Sequence, residues 1–321
     1  MSVQEKAQRM IDIFSEMNDK NKWTDDRILM MAASVYVVKN REFDAERYTD
    51  LCEYIKQESG AFSYLRSTIR FSVAAWLDTR FDDPREAFQT YNRVYDRMIE
   101  KGFKRTTFTY IAALVMLQDD ESELDECMDR SLTVYERMRS EHPFITSKDD
   151  YPLAVLLAQQ EGEIDTLIYR MEEIYSGLNA NGFWKGNNLQ FISQMLSLDT
   201  IHDAETLVNR ATHLSDQLKN ASLKTKSMHY PEIGMLTLTD ETDRLEDIRM
   251  IRDQLNGEKK YRWHRDLNYK LAVQLVVSES LQEDSVAEAG LFTSMEVIMQ
   301  AQQTAIMAGA VGAAAASNGG A

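Results

Sequence analysis

The residues best equipped for chemistry lie in short polar segments between longer apolar runs. Trp263-His264-Arg265-Asp266 gathers an aromatic ring, an imidazole, a guanidinium and a carboxylate in four positions. An imidazole steadied by a carboxylate can act as a general base. Neighbours this close at a helix start face different ways, however, so a surface cap is the plainer reading. Gly182-Phe183-Trp184-Lys185-Gly186-Asn187-Asn188 supplies two glycines for tight backbone, a flat indole, a cation, and Asn187 or Asn188 to cap a following helix. It reads either as a turn with Trp184 packed between neighbours, or as a loop contacting a ligand through Trp184, Lys185, Asn187 and Asn188. Asp119-Asp120-Glu121, with Asp125 beyond, resembles a magnesium-binding acid cluster, but no lysine or arginine stands beside it to meet a phosphate. A solvated turn accounts for it better. There is no glycine-rich nucleotide loop, no strained nucleophile motif and no metal-ligand spacing. The sequence therefore assigns no catalytic residue, no metal and no cofactor.

The elements that must position these groups follow from hydrophobic spacing. From Asp83 to Phe103, Ala87, Tyr91, Val94, Tyr95 and Met98 draw one apolar stripe along a helix. Asp83 suits its N-cap, Pro84 its first position and Gly102 its stop. Forty residues on, Cys127, Val134, Tyr135 and Met138 take the same offsets, and eighty on come Leu167, Met171, Ile174, Tyr175 and Leu178. Leu207, Ala211, Leu214 and Leu218 continue the series. Related stripes occur at Tyr48 to Ile55 and Ile248 to Leu255. Between the amphipathic helices lie shorter, nearly all-apolar ones, such as Tyr110 to Leu117 and Pro152 to Ala158. Two of these open on the same dipeptide, Tyr151-Pro152 and Tyr230-Pro231. The four prolines fall at predicted helix ends or in loops, where a missing N–H is tolerated.

One hairpin cannot cover both faces of an apolar helix, so neighbouring hairpins must stack. The expected fold is all-α: six to seven tandem hairpins of about forty residues over 1–290, as an open solenoid or a closed α/α toroid. A further helix is expected over 291–308 and a flexible Ala/Gly tail over 309–321.

The two kinds of connection carry opposite charge. Five that lead from an apolar to an amphipathic helix (78–86, 118–126, 159–165, 199–205, 239–247) total −18; five that lead back (101–106, 139–150, 179–188, 219–229, 256–266) total +8. They are called acidic and basic turns below. Complementing the helix dipoles explains this contrast most simply. The sharper expectation is a cationic, aromatic mouth at the basic-turn end, built from Tyr151, Trp184, Lys185, Asn187, Asn188, Tyr230, Trp263, His264 and Arg265, taking an anionic or sugar-like ligand or an acidic protein.

Composition narrows the classes further. A formal charge of −16 argues against nucleic acid. Two cysteines without a framework, no secretory signal and a weakly apolar 297–316 point to a cytoplasmic chain and argue against a membrane anchor, with a membrane role through that tail the third reading. Both cysteines are expected as small buried hydrophobes. Trp23-Thr24-Asp25-Asp26, the Gly102-Phe103 turn, Asp149-Asp150-Tyr151-Pro152-Leu153-Ala154 and Gly182 to Asn187 together resemble an uncharacterised family of Bacillus-type bacteria, domain of unknown function four thousand and three. That resemblance spans nearly the whole chain outside the tail and implies a bacterial, intracellular protein. It brings no activity or site residues. The expected role is non-enzymatic binding or scaffolding by the helical surface, with a protein or a small anionic ligand as partner; the alternative is a toroidal enzyme or small-molecule binder.

Overall fold

The structure is a computed structural model that describes residues 2–61, 63–117, 121–223, 225–239 and 243–280. The expected helix over 291–308, the tail and the Asp119-Asp120 pair lie outside the described residues. Fourteen α-helices follow one another as seven hairpins, with no strand among the described residues. Seven amphipathic helices come first in their hairpins: α1 (Val3–Lys20), α3 (Ala45–Glu58), α5 (Pro84–Lys101), α7 (Leu124–Glu141), α9 (Ile164–Ala180), α11 (Ala204–Asn220) and α13 (Leu245–Gly257). Each leads into an apolar one: α2 (Asp26–Val38), α4 (Ile69–Arg80), α6 (Thr107–Met116), α8 (Tyr151–Ala158), α10 (Asn187–Leu196), α12 (Tyr230–Leu238) and α14 (Arg265–Ser280).

Local chemistry sets these boundaries. The Asp83 carboxylate accepts the Arg85 and Glu86 N–H groups at 3.1 and 3.0 Å, Pro84 opens α5, and Gly102 closes it at φ 120°, a left-handed conformation that suits glycine. Helix α5 buries one stripe, Ala87, Phe88, Tyr91, Val94, Tyr95 and Met98, and leaves the rest exposed or half-buried. Helices α8 and α12 have no exposed face at all: every residue from Tyr151 to Ala158 and from Tyr230 to Leu238 is buried. The amphipathic helices therefore form an outer layer and the apolar ones an inner layer. In α7 the stripe keeps its expected phase, with Met128, Ser131, Val134, Tyr135 and Met138 buried forty residues after their α5 counterparts; only Cys127 departs from it and is half-buried, while Cys52 is buried as expected.

Hairpins pack side by side, with α2 on α4, α6 on α8, and α10 on α12, which in turn meets α14. The first hairpin also packs on the last, α1 against α13 and α14 and α2 against α14. Lys6 and Glu279 form an ion pair at 3.0 Å across this contact, and the Phe14 and Tyr261 rings meet edge to face at 5.2 Å. No helix among the described residues is long and apolar enough to cross a membrane.

Candidate functional site

The basic turns now have firm limits: 21–25, 59–68, 102–106, 142–150, 181–186, 221–229 and 258–264. Their sequence holds eleven Lys or Arg against four Asp or Glu, whereas the six acidic turns hold three against fifteen. Hydrogen bonds and ion pairs tie the basic turns together, because the N-terminal part of an inner helix reaches back to the turn of the hairpin before it. The Tyr110 and Ser63 hydroxyls are 2.8 Å apart. Tyr151 accepts the Lys104 N–H at 3.4 Å, and Tyr230 accepts the Trp184 N–H at 2.8 Å. The Gln190 amide donates to the Thr146 hydroxyl at 2.6 Å, and Lys226 donates to Asp266 at 2.8 Å. Lys260 donates to Asp26 at 3.2 Å, which joins the last turn to the first hairpin. Six of the seven turns thus meet the next inner helix at one end of the molecule.

The residues singled out from the sequence divide into two sets here. Trp184 and Trp263 are 79% and 77% exposed, so Trp184 does not pack between hairpins; Lys185, Asn187 and Arg265 are exposed as well. Arg262 lies over the Trp263 ring at 4.9 Å. Tyr151 and Tyr230 instead are buried, Tyr151 against Phe103 and Tyr135 and Tyr230 against Phe183 at 4.8 Å. Their hydroxyls serve neighbouring backbone, so they support this end without lining it. Asn187 and Asn188 do not cap α10. Gly186 holds that position at φ 134° with no side-chain cap, because the chain enters the helix in a conformation asparagine would strain to adopt. His264 is half-buried beside Asp25 and Arg27; burial first, then the Arg27 charge, lowers its pKa. Asp266 turns to Lys226 and to His229 Nε2 at 3.4 Å, so His264 and Asp266 form no acid–base pair.

What the sequence did not single out is the regularity of exposed side chains. Among the described residues eight large apolar side chains stand well exposed, and six of them occupy six different basic turns: Trp23, Tyr64, Phe144, Trp184, Met228 and Trp263. The remaining basic turn buries Phe103 and exposes Lys104 and Arg105. Each residue is unremarkable alone; only the folded positions collect them. The same end holds a cleft of about 530 Å³ between the α3–α4 turn and the ends of α5 and α6, lined by Glu58, Ser63, Tyr64, Tyr95, Arg105 and Tyr110 among others. Tyr95 and Tyr110 stack there at 3.9 Å and 6°. Burial and the Tyr110 contact raise the Tyr95 pKa, against the pull of Arg105. No group of three or more His, Cys, Asp or Glu side chains among the described residues is placed to hold a metal.

The described residues define a protein with seven outer–inner helical hairpins that displays aromatic and basic side chains from one set of turns. The chain belongs to the DUF4003 family, described as a protein of unknown function, whose model matches residues 13–304. It is 38% identical to the uncharacterized protein YeaA of Bacillus subtilis (strain 168) over 321 residues, covering 98% of this chain and 97% of that protein. No solved structure matches it.

Proposed function

We propose that this chain is a non-enzymatic, cytoplasmic binding or scaffolding protein that meets its partner with the basic-turn end. The packing of the first hairpin on the last supports a closed ring over an open solenoid, so the turns form a rim. The observation that carries the reading is the set of six exposed apolar side chains on six of those turns. Exposed tryptophan and phenylalanine contribute little to folding, whereas tryptophan, tyrosine, phenylalanine and methionine are among the types enriched at recognition surfaces. The test is photo-crosslinking in the protein's own host, with a photoreactive phenylalanine at position 184 or 263 and controls at Tyr169 and Ile201, which are exposed away from the rim. Adducts at 184 and 263 but not at the controls are expected. No adduct, or equal adducts at all four positions, refutes the reading.

A second reading rests on the cleft. Stacked Tyr95 and Tyr110 with Arg105, Glu58 and the Ser63 hydroxyl would suit a small sugar-like or anionic ligand. Native mass spectrometry of the chain purified from its host should then show a discrete added mass that Arg105→Ala removes; an unaltered apo mass in every preparation argues against it.

A further inference from the structure

The rim also indicates what kind of partner it fits. Its apolar side chains are not one patch: each of six turns presents one, and Trp23 and Phe144 are essentially fully exposed, covered by none of the described residues. A protein interface core is contiguous and packed at close to interior density. Side chains standing singly on separate turns lack such a core, but a fluid interface that closes around each one requires none. Three of the six are tryptophan and one is tyrosine, the residues enriched at the boundary of a bilayer, where an amphipathic ring sits among the headgroups. Between them the turns expose Lys22, Lys104, Arg105, Lys148, Lys185 and Lys259.

Charge then fixes both orientation and lipid class. The whole chain is strongly acidic at −16, whereas the basic turns hold eleven Lys or Arg against four Asp or Glu, so an anionic surface is met most favourably rim first. The acidic turns, three basic residues against fifteen acidic, would face away. No spanning segment is needed for this mode of attachment.

We propose that the basic-turn rim docks on an anionic lipid surface, with Trp23, Trp184 and Trp263 at headgroup depth and the surrounding lysines and arginines on the lipid phosphates. This rests on the reading of the rim as the recognition surface and names its partner. The full chain would be sedimented with vesicles of phosphatidylcholine alone and with vesicles containing about one-third phosphatidylglycerol. Binding to the second and not the first is expected, weakening about tenfold or more as salt is raised. Tryptophan emission should shift to the blue and be quenched by lipids brominated in the acyl chain. The combined variant Trp23→Ala, Trp184→Ala and Trp263→Ala should bind about tenfold or more weakly with an unchanged circular-dichroism melt. Lys185→Glu should weaken binding while leaving the tryptophans in place. No sedimentation with either vesicle, or binding that the triple variant retains, overturns the proposal. Protein adducts at positions 184 and 263 without vesicle binding would end the lipid proposal and leave the rim as a protein-recognition surface; loss of both would end the two together.

Discussion

Removing one oxygen at Tyr230 separates a structural tyrosine from a ligand-facing one. The ring is buried on Phe183 at 4.8 Å, and the hydroxyl accepts the Trp184 N–H at 2.8 Å. Tyr230→Phe keeps the ring and deletes the acceptor, at a cost of about 1 kcal/mol, the net worth of one neutral hydrogen bond. Tyr151 is the internal comparison: its bond from the Lys104 N–H is 3.4 Å long, near the limit of useful geometry, so Tyr151→Phe should cost no more than about 0.5 kcal/mol. Tyr230→Ala also loses ring burial and should cost about 3 kcal/mol or more. Urea unfolding followed by far-ultraviolet circular dichroism reads all three as midpoint shifts, ordered Tyr230→Ala, then Tyr230→Phe, then Tyr151→Phe. If Tyr151→Phe shifts the midpoint as far as Tyr230→Phe, or if Tyr230→Phe shifts nothing, the role assigned to these hydroxyls is wrong.

Three further perturbations probe other parts of the structure. A Cβ at Gly177 would come within 2.8 Å of Val208 Cγ2, and Val208 is stiff and buried; Gly177→Ala should therefore lower stability by about 1 kcal/mol despite a comparable gain in helix propensity. Gly234→Ala, whose nearest neighbour is the flexible end of Met195 at 2.6 Å, should cost less in the same thermal melt. Glu279→Ala leaves the buried Lys6 ammonium without its partner across the first-to-last hairpin contact and also removes a 2.6 Å pair with Arg244, at about 3 kcal/mol in all, whereas Glu246→Ala in a solvent-screened pair with Arg249 should leave stability nearly unchanged. Equal effects of the two in chemical denaturation would contradict that contact. Burial raises the Asp150 pKa to about 6 from 3.8 and lowers the His229 pKa to about 4 from 6.5, helped by the Lys270 charge. The Asp150 contribution is full below pH 3.8 and is lost as pH rises through about 6, up to about 3 kcal/mol. That of His229 is full above pH 6.5 and is lost as pH falls through about 4. The two oppose each other, so Asp150→Asn should make the chain less stable on acidification over pH 6.5–4, and His229→Gln more stable; melting points across that range check both signs.

Much of the fold was legible because its helices bury their stripes in a regular way. Ala87, Tyr91, Val94, Tyr95 and Met98 mark α5 by spacing alone, and Asp83, Pro84 and Gly102 bound it by chemistry that acts within a few residues. The inner helices were legible because a run such as Pro152 to Ala158 has no polar face to turn outward. Packing of the first hairpin on the last was not, since Lys6 and Glu279 carry no local mark of pairing across nearly the full chain. The candidate site residues divide in a more instructive way. Tyrosine beside proline at a helix start is the same sequence whether its hydroxyl meets a ligand or a neighbouring turn, and only the position of Lys104 or Trp184 decides between them. Asn187 was expected as a cap because asparagine often is one, but the left-handed entry at Gly186 gave the task to backbone alone. Trp184 could be read from the sequence either as packed between hairpins or as facing a ligand, and its exposure excludes the first.

These two outcomes are connected. Tyr230 holds the backbone N–H of Trp184 itself, so the bond that buries one aromatic residue fixes the base of the exposed one. Similar links run through Tyr110 to Ser63, next to exposed Tyr64, and through Lys260 to Asp26, where α2 begins three residues after Trp23. A turn held at its root loses less conformational freedom on binding than a free one, so an exposed ring on it would meet a partner at lower entropic cost. The buried set and the exposed set, which the sequence pooled as one mouth, are therefore two layers of a single device: tyrosines, glutamine and ion pairs lock successive turns together, and the rings beyond them are presented from one end. Loosening the inner layer should then weaken whatever the outer layer binds. Tyr230→Phe, which touches no exposed group, is expected to reduce vesicle binding by less than the triple tryptophan variant but measurably, through Trp184 alone; unchanged binding alongside a lowered urea midpoint would show that the two layers act independently.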